Sequence, residues 1–460
     1  MNRETSAVIL AAGKGTRMKS NLPKVLCRVL FKPMVCWVYD AVQAADIKNV
    51  CTVVGHGADQ VKQVMGDSCE YALQNQQLGT GHAVAMAKDF IAKHGGDVCV
   101  LCGDAPFMDR ETLLSSLALH QSSGAAVTVI SAKLDTPTGY GRIVREGDQL
   151  CAIVEEKEAD DNTRKIKEVN SGAYWFDSEK LCQVLDKIKS NNAAGEYYLT
   201  DAISILRQQG EVCKAYLSAN SDVILGANDR RTLMQLNQLA NSRVIERLMD
   251  EGVEFVSTDG IVLSPDVQVG PDTTILPGTI AVGHVKIGSG CIIGPNSYLT
   301  DCQIGDNTIA DNAKITSAKV GSGVRLGPFM QIRPGSIIAD NAKIGNFTEI
   351  KNSTIGYKTS VAHLTYVGDS DVGDRVNFGC GTVTVNYDGV NKYRTTIEND
   401  CFIGCNTNLI SPVTVHKGAY TAAGSTVTED VPAGSLYIER GQPIVKDGWA
   451  DKKLAQKRKK

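Results

Sequence analysis

Aliphatic residues recur at every sixth position over two long stretches in the second half of the chain. The positions are Val320, Leu326, Ile332, Ile338, Ile344 and Ile350 in the first stretch, and Ile397, Ile403, Leu409, Val415, Thr421 and Val427 in the second. Neither the helical period of about 3.6 residues nor the strand period of about 2 produces this spacing. A hexapeptide repeat does, because each hexad forms one short strand and one corner. The pattern therefore predicts a parallel β-helix over about residues 262–431; the alternative is an ordinary all-β domain with chance spacing.

The first half of the chain alternates short apolar runs with longer amphipathic segments. The runs are residues 6–12, 49–54, 97–102 and 125–131, and the segments between them include residues 35–45 and 112–121. This alternation predicts a mostly parallel sheet flanked by helices, which is a Rossmann-like α/β domain. Ligands bind such sheets at the carboxyl ends of the strands, so motifs directly after a strand are the candidates for chemistry.

A helical spacing of apolar residues over 232–249 predicts one helix that connects the two halves. We therefore expect a first domain over residues 1–230, a linker helix over 231–251, and a β-helix domain with its tail over 252–460. The last residues of the tail are basic, which is typical of a solvated chain end.

Composition and charge narrow the possible partners. The chain has 460 residues, with 48 Lys and Arg against 51 Asp and Glu, and a formal charge of -3. This balance argues against a nucleic-acid partner held by bulk positive charge. No apolar run reaches the roughly 18 residues of a membrane span, and the first run is too short for a signal peptide. The 14 cysteines are scattered, which is typical of reduced thiols in a cytoplasmic protein.

A glycine-containing loop follows the first predicted strand. Gly13 and Gly15 allow backbone N–H groups to point at an anion. Arg17 and Lys24 supply cations suited to phosphate oxygens. The loop is neither a Walker A motif nor the dinucleotide fingerprint, whose third glycine is absent here. By itself the loop is equally compatible with a tight turn between a strand and a helix.

Asp104 follows the apolar run 97–102 and is therefore expected at the carboxyl edge of the sheet. Carboxylate oxygens and substrate phosphates are the ligands that Mg²⁺ takes. Alternatively, an aspartate after a strand caps the next helix. The position alone leaves both roles open.

The six-residue spacing fails between Phe378 and Ile397, over the segment 382–392. An insertion that leaves a β-helix coil is a loop, and loops on a rigid scaffold carry function. A β-helix stacks residues that are distant in sequence, so polar residues of neighbouring coils are expected near this loop; they are Arg333, Lys351, His363, Tyr366 and Asn377. Taken alone, His363 is also compatible with an ordinary corner histidine.

The strings around these motifs resemble those of sugar-nucleotide pyrophosphorylases. The similar strings are residues 10–18 with Pro23-Lys24, 74–83, 102–106, 137–142, 154–157, 169–172, 195–201 and 226–230. The resemblance implies that a uridine nucleotide contacts Leu10, Ala11, Ala12, Gly13, Lys24, Gln74, Gly79, Thr80, Gly103 and Asn228. It also implies Gly141, Glu155 and Asn170 as sugar contacts, Arg17 as a catalytic residue, and Asp104 with Asn228 as ligands of Mg²⁺.

Over nearly its whole length the chain resembles a bacterial family of bifunctional enzymes. These are both N-acetylglucosamine-1-phosphate uridyltransferases and glucosamine-1-phosphate N-acetyltransferases. The resemblance implies a left-handed β-helix, a homotrimer, a cytoplasmic location, and glucosamine 1-phosphate, acetyl-CoA and UTP as substrates. The implied product is UDP-N-acetylglucosamine, a precursor of peptidoglycan and lipopolysaccharide.

The same resemblance assigns residues to acetyl transfer. It implies His363 as the catalytic base, and Arg333, Lys351, Tyr366 and Asn377 as contacts of glucosamine 1-phosphate. The implied acetyl-CoA contacts are Cys380, Asn386, Tyr387, Cys405, Ala423 and Arg440. Cys380 and Cys405 depart from the family pattern, which has alanine and serine there. Backbone contacts would survive both changes, but a thiol is a poorer hydrogen-bond donor than a hydroxyl.

Two other interpretations remain open at this point. One is a sugar-1-phosphate nucleotidyltransferase with a single activity, whose β-helix only assembles subunits. The other is a non-catalytic scaffold of the same architecture. The constellation around His363 argues against the first, and the set Arg17, Asp104 and Asn228 argues against the second.

Overall fold

The computed structural model describes residues 3–190 and 195–458. The chain divides into two compact units, with the boundary between Ala240 and Asn241. That boundary falls inside the helix Arg230–Asp250, which is the connecting helix expected from the apolar spacing. None of the helices in the described ranges combines the length and the apolar character that crossing a membrane requires.

The first unit consists of a mixed sheet and its surrounding helices. Its strands are β1 Thr5–Ala11, β2 Arg28–Val29, β3 Lys32–Pro33, β4 Asn49–Val54, β5 Glu70–Leu73, β6 Asp97–Cys102, β7 Val127–Lys133, β8 Arg142–Glu146, β9 Gln149–Val154, β10 Glu168–Asp177 and β11 Cys213–Leu217. Its α-helices are α1 Met34–Ala44, α2 Ala58–Met65, α3 Thr80–Met86, α4 Lys88–His94, α5 Arg110–Ser122, α6 Ser178–Leu185 and α7 Asp201–Gln208, followed by the connecting helix α8 Arg230–Asp250. Short 3₁₀ turns occupy Thr16–Met18, Lys24–Leu26, Thr163–Lys165 and Ser221–Ile224.

The strands along the main sheet all run in one direction except β10. The strand order is β11-β7-β10-β6-β1-β4-β5, with β1 parallel to β4 and β6. Strand β10 runs antiparallel to β6 and β7, and the hairpin β8–β9 extends from it. The prediction of a Rossmann-like, mostly parallel sheet is confirmed. The carboxyl ends of β1, β4 and β6 therefore share one edge of the sheet.

Alternation along β1 shows why helices cover both faces of this sheet. Ala7 and Ile9 are buried in one hydrophobic cluster, whereas Val8 is buried in the other. A strand that is covered on both faces is a near-continuous apolar run, as β1 is from Ala7 to Ala11. Because both faces are packed, the residues that follow Ala11 leave the sheet from a rigid support.

Within the described residues, the second unit is a parallel β-helix of three sheets. The eleven-stranded sheet contains Glu254–Phe255, Thr274–Ile275, Ile292–Ile293, Ile309–Ala310, Arg325–Leu326, Lys343–Asn346, Ser360–His363, Asn377–Phe378, Phe402–Ile403, Tyr420–Thr421 and Leu436–Tyr437. The ten-stranded sheet contains Val262–Leu263, Ile280–Val282, Tyr298–Thr300, Lys314–Thr316, Gln331–Ile332, Glu349–Lys351, Tyr366–Gly368, Val383–Val385, Asn408–Ile410 and Thr426–Val427. The nine-stranded sheet contains Gln268–Val269, Lys286–Ile287, Gln303–Ile304, Lys319–Val320, Ile337–Ile338, Thr354–Ile355, Ser370–Val372, Thr395–Ile397 and Val413–Val415. The tail ends in helix α9, Trp449–Lys457.

The six-residue spacing follows from the three sides of each coil. Val320, Leu326 and Ile332 lie on the nine-, eleven- and ten-stranded sheets in turn. Every member of both runs is buried, including the one threonine. Burying one aliphatic side chain of this kind stabilises the fold by roughly 1.5–3 kcal/mol relative to leaving it exposed. Glycine follows where coils approach closely, since a Cβ at Gly345 would lie 2.0 Å from the Ala362 carbonyl oxygen. The hexapeptide β-helix is confirmed, and its three parallel sheets agree with the left-handed form implied by the resemblance.

Two boundaries of the β-helix differ from the prediction. The coils begin with Glu254–Phe255 and continue to Leu436–Tyr437. Half-buried aromatic residues stand at the aliphatic positions of these end coils, so the spacing did not reveal them. The inserted loop is also shorter than predicted, because residues 383–385 still pair with the next coil. Thr384 interrupts the aliphatic pattern there, yet it is buried and its hydroxyl accepts from the Gly368 N–H at 2.8 Å.

Candidate active sites

A cavity of about 390 Å³ opens at the carboxyl edge of the sheet in the first unit. The loop after β1, the segment after β5 and the end of β6 all contribute to its lining. Of the residues predicted from sequence, Leu10, Ala12, Gly13, Arg17, Lys24, Gln74, Gly79, Thr80 and Asp104 line it. Three other predicted nucleotide contacts are not part of the lining. Ala11 is buried in the core, and Gly103 donates its N–H to the Leu10 carbonyl oxygen at 2.9 Å. Asn228 lies behind the lining residues Lys24 and Arg17, with which it forms hydrogen bonds.

Charged and amide side chains meet at this cavity. The Lys24 ammonium forms an ion pair with the Asp104 carboxylate and donates to the Asn228 amide oxygen at 2.9 Å. Arg17 donates to the same amide oxygen at 3.2 Å. Helix α5 is capped instead by Asp109, whose carboxylate accepts from the Thr112 N–H at 2.7 Å. The capping role that the sequence left open for Asp104 therefore belongs to another aspartate.

The oxygen atoms of Asp104 and Asn228 fit a magnesium ion. They lie close enough to share one cation, since a single ammonium contacts both. Magnesium prefers oxygen ligands and commonly takes a few from the protein and the others from phosphates and water. Within the described residues, no three or more His, Cys, Asp or Glu side chains are grouped so that they could hold a metal by themselves. This pair therefore suits an ion that binds together with a substrate.

The segment after β5 is fixed by hydrogen bonds of its own. Gln74 is 3 % exposed, and its amide nitrogen lies 3.1 Å from the Gly79 carbonyl oxygen and 3.0 Å from His82 Nδ1. Across the cavity wall, the Thr80 hydroxyl accepts from the Leu199 N–H at 3.1 Å. Gly79 has φ 113°, a conformation that disfavours residues with a Cβ. The segment therefore presents backbone groups and one amide in a fixed arrangement.

Gly141, Glu155 and Asn170 lie side by side near the hairpin β8–β9. The Asn170 N–H donates to the Gly141 carbonyl oxygen at 2.9 Å, and a Cβ at Gly141 would lie 3.3 Å from Glu155 Oε1. Burial raises the pKa of Glu155, with a further contribution from a neighbouring carboxylate. Cys102, which lines the cavity, has its thiol 3.4 Å from the carbonyl oxygen of Gly172, which lies at the irregularity of β10 after Asn170. The three predicted sugar contacts are thus brought together next to the cavity.

Gln77 and Glu196 also line the cavity, although no individual role was predicted for either residue. Both lie inside strings already recognised as similar to the pyrophosphorylases, so the motif was the available signal. The Gly81 N–H donates to the Tyr197 carbonyl oxygen at 2.8 Å, which joins the two strings across the cavity.

In the second unit, four residues predicted for acetyl transfer occupy one position in successive coils. Each lies at the corner between a strand of the eleven-stranded sheet and the next strand, which belongs to the ten-stranded sheet. The strands before the corner and the strands after it pair with the same residue offset between coils. His363 therefore pairs with Cys380, Cys380 with Cys405, and Cys405 with Ala423. Neighbouring strands are about 4.8 Å apart. His363 and Cys405 are exposed, and Cys380 is half-buried. We call the column His363, Cys380, Cys405 and Ala423 the corner ladder.

Two cationic residues lie in register on the ten-stranded sheet. The pairing of their strands places Arg333 next to Lys351 in consecutive coils. Arg333 pairs with Glu349 at 2.7 Å, and Lys351 pairs with Asp369 at 3.5 Å. Tyr366 lies opposite Glu349 in the following coil. The arrangement offers two neighbouring positive charges to an anion such as a phosphate.

Asp369 is a buried carboxylate to which the sequence assigned no role. It accepts from Asn352 Nδ2 at 2.6 Å and also from the Asn386 side-chain amide. Burial alone would raise its pKa, but these hydrogen bonds and the Lys351 ammonium outweigh that effect and lower the pKa of Asp369. The side chain of Asn386 is only 7 % exposed and so anchors the inserted loop. Its role in binding acetyl-CoA stays a prediction.

Among the contacts of the described residues, Asn377, Tyr387 and Arg440 make no side-chain hydrogen bond or ion pair with Asp369. Asn377 is exposed on the eleven-stranded sheet, and Arg440 is exposed beyond the last coil. Tyr387 is 54 % exposed, and its hydroxyl donates to the Gly389 carbonyl oxygen at 2.6 Å within the inserted loop. In the part of the chain that the structure describes, no hydrogen bond or ion pair joins any of the three to His363.

Comparisons with known proteins cover both units. A family model described as nucleotidyl transferase matches residues 6–223, and one described as bacterial transferase hexapeptide (six repeats) matches residues 266–301. The chain is 49 % identical to the Bifunctional protein GlmU of Halalkalibacterium halodurans, over 97 % of this chain and 98 % of that protein. The identity is 47 % to the protein of the same name from Exiguobacterium sp., over 97 % and 99 % of the two chains. It is 46 % to the one from Clostridium acetobutylicum, over 97 % and 98 %.

Proposed function

The chain belongs to the family of bifunctional GlmU proteins, with a nucleotidyltransferase half and a hexapeptide-repeat transferase half, and on this premise we propose the two reactions that it catalyses. The second unit transfers the acetyl group of acetyl-CoA to the amino group of glucosamine 1-phosphate. The first unit then transfers UMP from UTP to N-acetylglucosamine 1-phosphate and releases pyrophosphate. The observation that carries the proposal is the match of relatives over 97 % of the chain, which includes both groups of predicted site residues.

In the uridylyl transfer, the phosphate of N-acetylglucosamine 1-phosphate attacks the α-phosphorus of UTP in line, and pyrophosphate leaves. No protein nucleophile is required, so catalysis depends on positioning and on neutralising charge. Arg17 and Lys24 bind phosphate oxygens, which draws them away from Asn228. Asp104 and Asn228 hold Mg²⁺, which when bound offsets the negative charge of two phosphates pressed together.

The nucleotide base and the sugar are recognised by different segments. Gln74, Gly79 and Thr80 hold the edge of uracil, because an amide and nearby backbone groups can satisfy its donors and acceptors. Glu155 and Asn170 bind the hydroxyl and acetamido groups of the sugar. Gly141 stays small so that the sugar can approach the backbone. The fixed hydrogen bonding around Gln74 and Asn170 supports these roles.

In the acetyl transfer, His363 is the general base. A protonated amine cannot attack a thioester, so a base that works near neutral pH is needed, and imidazole suits this task. The amine of glucosamine 1-phosphate then attacks the acetyl carbonyl carbon, and the CoA thiol leaves. Arg333 and Lys351 bind the phosphate of the sugar, and Tyr366 orients the substrate. The exposure of His363 and the register of Arg333 with Lys351 support these roles.

Acetyl-CoA lies along the corner ladder beside Cys380, Cys405 and Ala423. Asn386, Tyr387 and Arg440 complete its site, and Asn377 contacts glucosamine 1-phosphate. The hexapeptide-repeat half supports an oligomer, and we infer a homotrimer in which neighbouring copies contribute to this site. This assembly works on small molecules in the cytoplasm.

A substrate-omission experiment tests the proposal. Purified protein is incubated with glucosamine 1-phosphate, acetyl-CoA, UTP and Mg²⁺, and the products are followed by chromatography while one component is omitted at a time. Omitting UTP should leave N-acetylglucosamine 1-phosphate as the end product. Omitting acetyl-CoA should leave glucosamine 1-phosphate unacetylated. Formation of a sugar nucleotide with no dependence on acetyl-CoA would instead indicate a single-activity nucleotidyltransferase.

A further inference from the structure

Cys380 and Cys405 are consecutive members of the corner ladder. The strand registers before and after the corner give the same pairing, and the Asn406 N–H donates to the Cys380 carbonyl oxygen at 2.8 Å. Each cysteine is followed by a residue in the left-handed conformation, Gly381 with φ 77° and Asn406 with φ 54°. The two cysteines therefore occupy equivalent corners, and their side chains leave the β-helix on the same side.

The spacing of these two coils suits a disulfide bond. Paired residues on neighbouring strands lie about 4.8 Å apart. A disulfide joins Cα atoms that are roughly 4.4–6.8 Å apart. Both cysteines are free thiols in this structure. They therefore meet the backbone requirement for oxidation without separation or re-registration of the coils.

Access distinguishes the ladder cysteines from the buried ones. Burial raises the pKa of the Cys51 thiol to about 12 and also raises the pKa of Cys401. Cys401 lies close to Cys405 in sequence but is buried, with its Sγ 3.1 Å from the His416 carbonyl oxygen. Cys405 is exposed and Cys380 is half-buried. Oxidation requires an accessible thiolate, so it is expected at the ladder before it reaches Cys401.

The position of the two thiols gives their oxidation a consequence. His363 precedes Cys380 on the corner ladder. In the proposed function, on which this inference rests, the thioester of acetyl-CoA lies beside these residues. A disulfide would fix the wall against which the cofactor binds. Bound acetyl-CoA would in turn cover the thiols.

We propose that Cys380 and Cys405 form a reversible oxidation site that switches off acetyl transfer. The oxidant is a peroxide: one thiol is oxidised to a sulfenic acid while hydrogen peroxide is reduced and one water is released. The second thiol then attacks that sulfur, a second water leaves, and the S–S bond forms. Two molecules of a small thiol reduce the bond and leave as their own disulfide. Uridylyl transfer continues, because its residues lie in the first unit.

The experiment treats the full-length protein with hydrogen peroxide and assays both reactions. Acetyl transfer should fall about tenfold or more, since small displacements at a reacting centre have effects of that size. The rate of acetyl transfer should recover after dithiothreitol is added, and the rate of uridylyl transfer should stay constant throughout. Mass spectrometry of proteolytic peptides should find a cross-link between Cys380 and Cys405, and acetyl-CoA added beforehand should suppress it.

Variants make the test specific. Cys405→Ser, compared with its own untreated activity, should resist peroxide, whereas Cys401→Ala should respond like the wild type. A protein that transfers acetyl groups but gives no Cys380–Cys405 cross-link would overturn the oxidation site. So would a Cys405→Ser variant that peroxide inactivates as it does the wild type. Untreated protein without acetyl transfer would instead contradict the proposed function, and the peptide cross-link would still be measurable.

Discussion

The Lys24 ammonium lies 2.9 Å from the Asn228 amide oxygen while it is paired with the Asp104 carboxylate. A lysine thus occupies the position between the two oxygen ligands that we assign to Mg²⁺. Metal and lysine compete for these oxygens, whereas nucleotide phosphates attract the lysine away from them. Binding of the metal and of the nucleotide should therefore be coupled, each making the other tighter.

Replacing Lys24 by methionine keeps the aliphatic stem and removes the charge. In the absence of nucleotide, the affinity for Mn²⁺ should rise by at least about tenfold, because two unit charges about 4 Å apart repel by several kcal/mol even at an effective dielectric constant of about 20. Electron paramagnetic resonance of free Mn²⁺ during a titration measures this affinity directly.

Two further variants test whether that gain arises at the proposed ligands. Lys19→Met removes an exposed lysine on the same loop and should leave the affinity for Mn²⁺ as it is. Adding Asp104→Asn to Lys24→Met should abolish the gain, because the charged ligand is replaced by a neutral amide. Equal affinities of the wild type and Lys24→Met would show that the lysine does not compete with the metal.

Asp104→Ala should reduce synthesis of UDP-N-acetylglucosamine by about 10²-fold or more, the scale of losing one electrostatic stabiliser of a transition state. Acetyl transfer should continue, because its residues lie in the other unit. Asp109→Ala is the matched control: it removes the cap of α5 and should lower stability by about 1 kcal/mol. Loss of both activities in a folded Asp104→Ala protein would contradict two independent sites.

Sequence could predict those parts of the fold and the site that depend on residues close together in the chain. The two aliphatic runs reveal the β-helix because each buried position recurs after a fixed number of residues. Asp104 could be placed because it directly follows an apolar strand. Sequence alone could not exclude that Asp104 caps the next helix, because both Asp104 and Asp109 precede it; in the structure the cap is Asp109.

The parts that sequence could not predict depend on the register between coils. Asp369 accepts from Asn352 and Asn386, and no spacing rule links these three residues. Likewise, the inserted loop separates Cys380 from Cys405, so their pairing appears only once the strands on both sides of the corner are aligned.

His363→Ala should slow acetyl transfer by about 10²–10⁴-fold, the usual contribution of a positioned general base. Uridylyl transfer should be unaffected in the same preparation. A spectrophotometric assay of released CoA thiol measures the first rate, and pyrophosphate release measures the second. His416→Ala removes a histidine that pairs with Glu398 at 3.2 Å elsewhere on the β-helix and serves as the control. Unchanged acetyl transfer in His363→Ala would remove His363 as the base.

Asp369→Asn should destabilise the β-helix in a pH-dependent way. The folded-state pKa of Asp369 is lowered, so its ionised form favours the folded state. That contribution is complete above the ordinary carboxyl pKa of about 3.9, shrinks as the pH falls through the folded-state value, and is lost below it. Urea denaturation should therefore separate wild type from Asp369→Asn at pH 7 and bring them together near the acid limit. Asp447→Asn, at an exposed position of the tail, should match the wild type throughout, and a constant gap for Asp369→Asn would rule out the carboxylate's ionisation as the cause.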